Sequence, residues 1–142
     1  GGLPVGAFLR YVFDNRLGYQ ESFKMIYGRG GMFAYLGTND FKKVMELYDR
    51  GTDNKVNSII EAMAYQISKS IVSLAAPVSG KVEGIVLTGG LAHSDTFINL
   101  IRPKIEFISK NIFIYPGEDE LQAMAEGVIL GLKGEIKILE YK

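Results

Sequence analysis

The sequence predicts an α/β protein in which helices predominate over a small, mostly parallel sheet. Two short apolar segments, Gly84–Thr88 and Ile112–Tyr115, have the length and residue types of buried strands, and each leads through a turn into a helical pattern. Successive βα units favour a parallel pair of neighbouring strands. Because Ile85–Leu87 is a continuous apolar run, we expect the first strand to be covered on both faces.

Helical patterns fill most of the sequence before the first strand. Apolar residues at three- and four-residue intervals predict helices over Val5–Phe13, over Glu21–Tyr27, from Phe41 to near Gly51, and from Asp53 or Asn54 to about Ala76. Pro77 should close the last of these, because proline cannot continue the hydrogen-bond ladder of a helix.

A glycine-rich segment, Gly28–Gly31, interrupts these helices. It is similar to a phosphate-binding loop, but it lacks both the Gly-Lys-Ser/Thr ending and a preceding strand, so a structural turn is favoured. The apolar segment Met32–Leu36 that follows is interpreted as a strand or as irregular structure. Since two strands are few for a sheet, either this segment supplies another strand or the partner strands belong to sequence upstream of Gly1.

Polar residues and a proline mark the ends of the remaining helices. Asp40 is suited to cap the helix that starts at Phe41, and Ser94 or Asp95 to cap the helix after the first strand. Pro103 should break that helix. A final amphipathic helix is expected after Glu118–Glu120, whose negative charges suit a helix N-terminus.

The composition excludes several classes of function. The 142 residues are long enough for one domain with its own core, and they carry no net charge, which makes nucleic acid an improbable partner. There is no apolar run long enough to span a membrane and no signal peptide, so a cytoplasmic protein is expected. The absence of cysteine excludes disulfides and thiolate metal sites, and the single histidine argues against a histidine-based zinc site.

Two loops should meet at the carboxyl edge of the predicted sheet. Thr88–Ser94 follows the first strand and Pro116–Glu120 follows the second, and such an edge is where open α/β sheets bind ligands. From the residues alone, Gly89 and Gly90 form either a ligand-binding turn or merely a tight connection. In the same way, Asp119 and Glu120 are either ligands for Mg²⁺ or a solvated helix start.

Three separated motifs together resemble butyrate kinase. They are GGMFAYLGTND at Gly30–Asp40, IVLTGGLAHS at Ile85–Ser94, and YPGEDEL at Tyr115–Leu121, the last followed by Ala123, Ala125, Glu126 and Gly127. This family belongs to the acetate and butyrate kinase group of the actin, sugar kinase and Hsp70 superfamily. The resemblance implies a ribonuclease H-like, actin-like ATPase domain, and residues 1–142 are expected to be the C-terminal nucleotide-binding portion of a two-domain kinase whose N-terminal domain is absent.

The resemblance also implies roles for particular residues. The adenosine-binding motif of the family corresponds to Thr88, Gly89, Gly90, Leu91, Ala92, His93 and Ser94. Asp40 corresponds to a position near the ribose or base, and Lys42 stands where acetate kinases tend to have arginine. Asp119, or its neighbour Glu120, corresponds to the carboxylate that orients Mg²⁺.

The reaction implied by the resemblance is reversible transfer of phosphate between ATP and a short-chain carboxylate. We expect the chain alone to be inactive, because in the family the acid-binding pocket and the cationic groups lie in the absent N-terminal region. Self-association is also expected, since the missing domain would leave apolar surface exposed. The alternatives are another acyl or branched-chain fatty-acid kinase, or a non-catalytic helix-rich assembly module.

Overall fold

The computed structural model describes residues 2–117 and 120–138. Within them lie seven α-helices and two strands: α1 Val5–Asp14, α2 Tyr19–Ile26, α3 Met32–Leu36, α4 Phe41–Arg50, α5 Asn54–Ser73, β1 Ile85–Gly89, α6 Asp95–Ile101, β2 Ile112–Pro116 and α7 Glu120–Leu132. Short 3₁₀ turns occupy Ala76–Val78, Gly90–His93 and Arg102–Lys104. The helix-rich α/β prediction is confirmed.

The two strands form a parallel pair, as the two successive βα units predict. Ile85 pairs with Ile112 at one end, and Gly89 pairs with Pro116 at the other. The first strand begins and ends one residue later than expected from the sequence. Because the strands are parallel and in register, the loops that follow them emerge side by side.

The prediction that β1 is covered on both faces is wrong. Ile85 points into the core, but Val86 is 59% exposed and Phe113 beside it on β2 is 49% exposed. Successive side chains of a strand point to opposite faces, so one face of this sheet packs on helices and the other is open. A run of consecutive apolar residues does not reveal whether anything covers the second face.

The core lies between the covered face of the sheet and the helices α4, α5 and α6. Helix α5 is central, because it contacts α3, α4 and α6. It buries one residue in every four along a single stripe, made of Val56, Ile60, Ala64 and Ser68. The Ser68 hydroxyl donates a hydrogen bond to the Ala64 carbonyl at 2.8 Å, so this polar group is satisfied inside the core.

The segment Met32–Leu36 is a short helix, α3, and its interpretation as a strand or irregular structure is wrong. Glycines bound it on both sides, and Gly37 ends it in the left-handed conformation with φ at 72°. Five residues are too few for helical periodicity to be visible in a sequence. The segment therefore adds no strand to the sheet.

Helices α1 and α2 bury no residue in this structure. Three aromatic rings on α2 stack along one side, with Tyr19 and Phe23 5.7 Å apart and Phe23 and Tyr27 4.8 Å apart between ring centroids. Helix α7 likewise exposes Met124 and Val128. Among the described residues, no helix is both long enough and apolar enough to cross a membrane.

Candidate functional site

The chain turns sharply at Gly89, the last residue of β1. Its φ is 83° and its ψ is −175°, a combination that is essentially restricted to glycine. A Cβ atom added at this position would meet no other atom within 4 Å. The requirement for glycine is therefore conformational and does not arise from crowding.

The 3₁₀ turn Gly90–His93 then connects β1 to α6 and is held by its two middle residues. Ala92 is buried and Leu91 packs against the core, whereas Gly90 and His93 are exposed. Ser94 caps α6, since its hydroxyl oxygen accepts a hydrogen bond from the backbone N–H of Phe97 at 3.2 Å. The exposed side of the turn is thus held in a fixed position by its buried side.

The loops after β1 and β2 meet at the sheet edge, as predicted. The carbonyl of Gly89 accepts a hydrogen bond from the N–H of Gly117 at 3.3 Å. The predicted magnesium ligand Asp119 lies outside the described residues, and so does the side chain of Glu120. Within the described ranges no group of three or more histidine, aspartate or glutamate residues is arranged to hold a metal ion. The magnesium site therefore remains a prediction.

An open cleft of about 810 Å³ lies between the Gly90–His93 turn and helix α4. Its size is within the range of small-molecule sites, about 300–1,000 Å³. The residues that line it come from two segments of the chain: Phe41, Lys42, Met45, Glu46 and Asp49 from α4, and Gly90, Leu91, His93, Ser94, Asp95 and Thr96 from the turn and the start of α6. Apolar and charged groups therefore share this surface.

The cleft contains only part of the predicted adenosine motif. Gly90, Leu91, His93 and Ser94 line it. Thr88 and Gly89 lie outside it, on the strand and at the bend, and Ala92 is buried beneath the turn. The residues of the motif that line the cleft therefore face α4. The remaining residues of the motif lie on the strand, at the bend and beneath the turn, and support the residues that line the cleft.

Asp40 lies next to this cleft but is not among its lining residues. Its carboxylate caps α4 by accepting a hydrogen bond from the backbone N–H of Lys43 at 3.1 Å, and it pairs with the Lys43 ammonium, also at 3.1 Å. The backbone hydrogen bond, followed by the Lys43 side chain, lowers the pKa of Asp40. The visible role of Asp40 is to start the helix that carries Phe41 and Lys42 into the cleft.

Of the α4 residues that line the cleft, only Lys42 was expected from the sequence to lie at the site. Glu46 follows Lys42 by four residues and Asp49 follows Glu46 by three, so all three share one face of the helix. That spacing is visible in the sequence. What the sequence did not reveal is that this face lies opposite the turn after β1.

An aromatic contact connects the cleft to the core. The ring of Phe41, which lines the cleft, meets the fully buried ring of Phe97 edge to face, with centroids 5.0 Å apart. Phe97 belongs to α6, whose first turn also lines the cleft. The two walls are therefore held together from beneath by this pair.

The cleft lies beside the carboxyl end of a parallel strand and has a glycine bend at its edge, which is the position where open α/β sheets bind ligands. No family model matches the sequence. Comparison with curated proteins is more specific. The chain is 42% identical over all 142 residues to butyrate kinase 1 of Clostridium acetobutylicum. It is 40% identical over 141 residues to a probable butyrate kinase of Clostridium botulinum.

The matched region spans 100% of this chain for the Clostridium acetobutylicum relative and 99% for the Clostridium botulinum relative. It spans only 39% of the length of each relative. The resemblance to butyrate kinase that the motifs indicate is therefore confirmed. This chain corresponds in sequence to part of a butyrate kinase.

Proposed function

We propose that this chain is the nucleotide-binding part of a butyrate kinase-like enzyme, which transfers phosphate reversibly between ATP and a short-chain carboxylate. The observation that carries the proposal is the identity of 42% with a butyrate kinase along the entire chain. The cleft at the end of β1 supports it, because it lies where the sequence resemblance puts the adenosine motif.

In this proposal the cleft receives the nucleoside end of ATP or ADP. Phe41, Met45 and Leu91 supply apolar surface for the base, and Gly90 leaves room beside the turn because it has no side chain. The phosphates extend from the cleft toward the edge formed by Gly89 and Gly117, where the absence of side chains lets backbone approach a ligand closely. The carboxylates proposed for Mg²⁺ are Asp119 and Glu120.

The reaction proposed for the whole enzyme moves the γ-phosphoryl group of ATP to a carboxylate oxygen of butanoate, giving butanoyl phosphate and ADP. Phosphoryl transfer depends on cationic groups around the moving phosphate. Lys42 is the one lysine or arginine that lines the cleft within the described residues. We infer that the isolated chain is inactive and that an N-terminal domain supplies the remaining groups and the acid-binding pocket.

The same proposal includes the other properties implied by the resemblance. They are an actin-like ATPase fold for the complete domain, a position in the C-terminal part of a two-domain kinase, a cytoplasmic location and self-association. The aromatic stack on α2 and the open face of the sheet supply apolar surface for such association.

Calorimetric titration with ADP and Mg²⁺ tests nucleotide binding. We expect weak but saturable binding by the chain, and none by a Gly90→Leu variant, whose new side chain would enter the cleft. Gly6→Leu is the matched control, because Gly6 lies on exposed α1 and a Cβ there also meets no atom within 4 Å. If the folded chain gives no heat and no thermal shift with millimolar nucleotide, the proposal fails and the assembly module is favoured.

Trapping of acyl phosphate as hydroxamate tests the proposed inactivity separately. We expect no hydroxamate from butyrate and ATP with the isolated chain. Formation of hydroxamate at a rate proportional to chain concentration would show that the chain contains a complete active site.

A further inference from the structure

Lys42 carries the one primary amine that lines the cleft within the described residues. Its side chain is exposed and lies in the first turn of α4. The apolar residues Phe41, Met45 and Leu91 line the same cleft. Because an unprotonated amine is a nucleophile, lysine is a common site of acylation. The cleft therefore places a nucleophile beside apolar surface that is open to solvent.

The neighbouring lysine differs from Lys42 in having a partner. The Lys43 ammonium lies 3.1 Å from the Asp40 carboxylate, and this is the one ion pair within residues 2–117 and 120–138. A carboxylate partner favours the charged ammonium, which cannot act as a nucleophile. Both lysine side chains are exposed, but only Lys42 is without such a partner among the described residues. Lys42 is therefore the more available amine of the two.

A proton acceptor lies close to Lys42 on the same wall of the cleft. Glu46 follows Lys42 by four residues on α4 and also lines the cleft. That spacing puts the two Cβ atoms about 5–6 Å apart, which lets a proton pass between the side chains directly or through one water. Attack by an amine releases a proton, so this wall supplies both the nucleophile and an acceptor for its proton.

We propose that Lys42 is a site of acylation by acyl phosphates, the class of product that the proposed kinase reaction forms. The inference rests on the proposed function, because that reaction supplies the acyl donor. In the step, Nζ of Lys42 attacks the acyl carbon of butanoyl phosphate, and a C–N bond forms as the C–O bond to phosphate breaks. Inorganic phosphate leaves, and the proton lost by nitrogen passes to Glu46 or to water. The product is an amide, and nothing is oxidised or reduced.

The lining of the cleft suits this donor. The propyl chain of the butanoyl group lies against Phe41 and Leu91, and its phosphate points to the open mouth of the cleft, away from the carboxylates of Glu46 and Asp49. Holding the acyl carbon beside the amine raises the rate of attack, because the two groups no longer have to meet by diffusion. A lysine outside the cleft has no such advantage.

Acylation changes the charge of the cleft. An amide is neutral, so the cleft loses the charge of the one lysine or arginine that lines it within the described part of the chain, while its carboxylates keep theirs. Binding of the nucleotide phosphates is weakened as a result. The acyl phosphate would then reduce the activity of the enzyme that makes it.

Peptide mass spectrometry of the chain treated with chemically prepared butanoyl phosphate tests the site. Lys42 should be modified about fivefold or more faster than Lys43 and than Lys55, an exposed lysine in the first turn of α5 that does not line the cleft. With acetyl phosphate this preference should be about threefold smaller, because two methylene groups no longer contact the apolar lining. Saturating ADP should protect Lys42 and leave Lys55 unprotected.

Calorimetric titration of the same samples with ADP measures the consequence. The acylated parent chain should bind ADP about two- to fivefold more weakly than the untreated chain. Lys42→Gln, which is neutral like the amide, should bind as weakly without treatment. Lys42→Arg keeps the charge and lacks the amine, so its affinity should survive the same treatment, which controls for modification of other lysines.

The results that overturn the inference are distinct from failure of the proposed function. Equal rates of modification at Lys42, Lys43 and Lys55 would overturn the assignment of the site, whether or not nucleotide binds. An equal loss of ADP affinity in treated Lys42→Arg and treated parent chain would overturn the effect assigned to this amine. If the untreated chain binds no ADP, the nucleotide function itself fails, and the modification rates still decide whether Lys42 is the preferred site.

Discussion

Gly89 and Gly90 are adjacent in the sequence, yet alanine at each position should have a different effect. Gly89 has a φ of 83°, whereas Gly90 has no positive φ, and neither position has another atom within 4 Å of an added Cβ. Alanine at Gly89 should therefore strain the backbone. Alanine at Gly90 should be accepted by the fold and add a methyl group to the cleft wall.

The magnitude follows from the backbone angles. A non-glycine residue in the region occupied by Gly89 costs about 1–3 kcal/mol, and alanine recovers about 0.4–1 kcal/mol by restricting the unfolded chain. With the middle of each range, the net loss of stability for Gly89→Ala is about 1.3 kcal/mol. Gly90→Ala should leave stability unchanged or raise it by up to about 1 kcal/mol.

Urea unfolding followed by circular dichroism measures the difference. With a slope of about 2 kcal/mol per molar urea, this loss should lower the unfolding midpoint of Gly89→Ala by about 0.6 M. ADP titration of the same proteins should show weaker binding by Gly90→Ala, which is as stable as the parent chain. Equal midpoints for the two variants would refute the reasoning, because the strain assigned to Gly89 would then be absent.

Two further predictions concern the support beneath the cleft and the start of α4. Phe97→Ala removes a fully buried ring and its contact with Phe41, so urea unfolding should show a loss of about 3–5 kcal/mol, whereas exposed Phe107→Ala should change stability by less than about 0.5 kcal/mol. Asp40→Ala removes the cap of α4 and should lower the urea midpoint, while Asp40→Asn should retain most of the stability of the parent chain.

The acid stability of the chain gives one more prediction. Because the folded state lowers the pKa of Asp40, its stabilising effect is complete above the usual carboxyl range. The effect is lost as the pH falls through the lowered pKa of the folded state. Thermal melts between pH 5 and about 2 should show less acid destabilisation in Asp40→Asn than in the parent chain. The same pH dependence in both would contradict the effect assigned to this carboxylate.

The sequence revealed the elements whose physical signal is local. Repeated apolar spacing identified the long helix α5, and the strand-turn-helix order identified β1 and β2 as parallel neighbours. Pro103 was expected to break a helix, and α6 indeed ends just before the 3₁₀ turn that contains it. Each of these conclusions depends on residues a few positions apart, which the sequence displays directly.

The features that the sequence did not reveal depend on which part of the folded chain, if any, faces a given residue. Val86 has the residue type of a core strand, but its face of the sheet is open. Glu46 and Asp49 have the pattern of a solvated helix face, and they line a cleft because the turn after β1 comes to face them. Helix α3 was missed because it is too short for periodicity and the glycines at its ends set its limits.

The buried residues of α5 also determine the order in which the parts of the structure unfold. Each turn of α5 from Val56 to Ser68 buries a side chain in the core, whereas α1 and α2 bury none. Amide hydrogens of α5 are therefore released only by global unfolding, and those of α1 and α2 by local fraying. Proteolytic nicking will consequently begin in α1 and α2, and the cleft should stay intact longer because the helices that line it, α4 and α6, pack against α5.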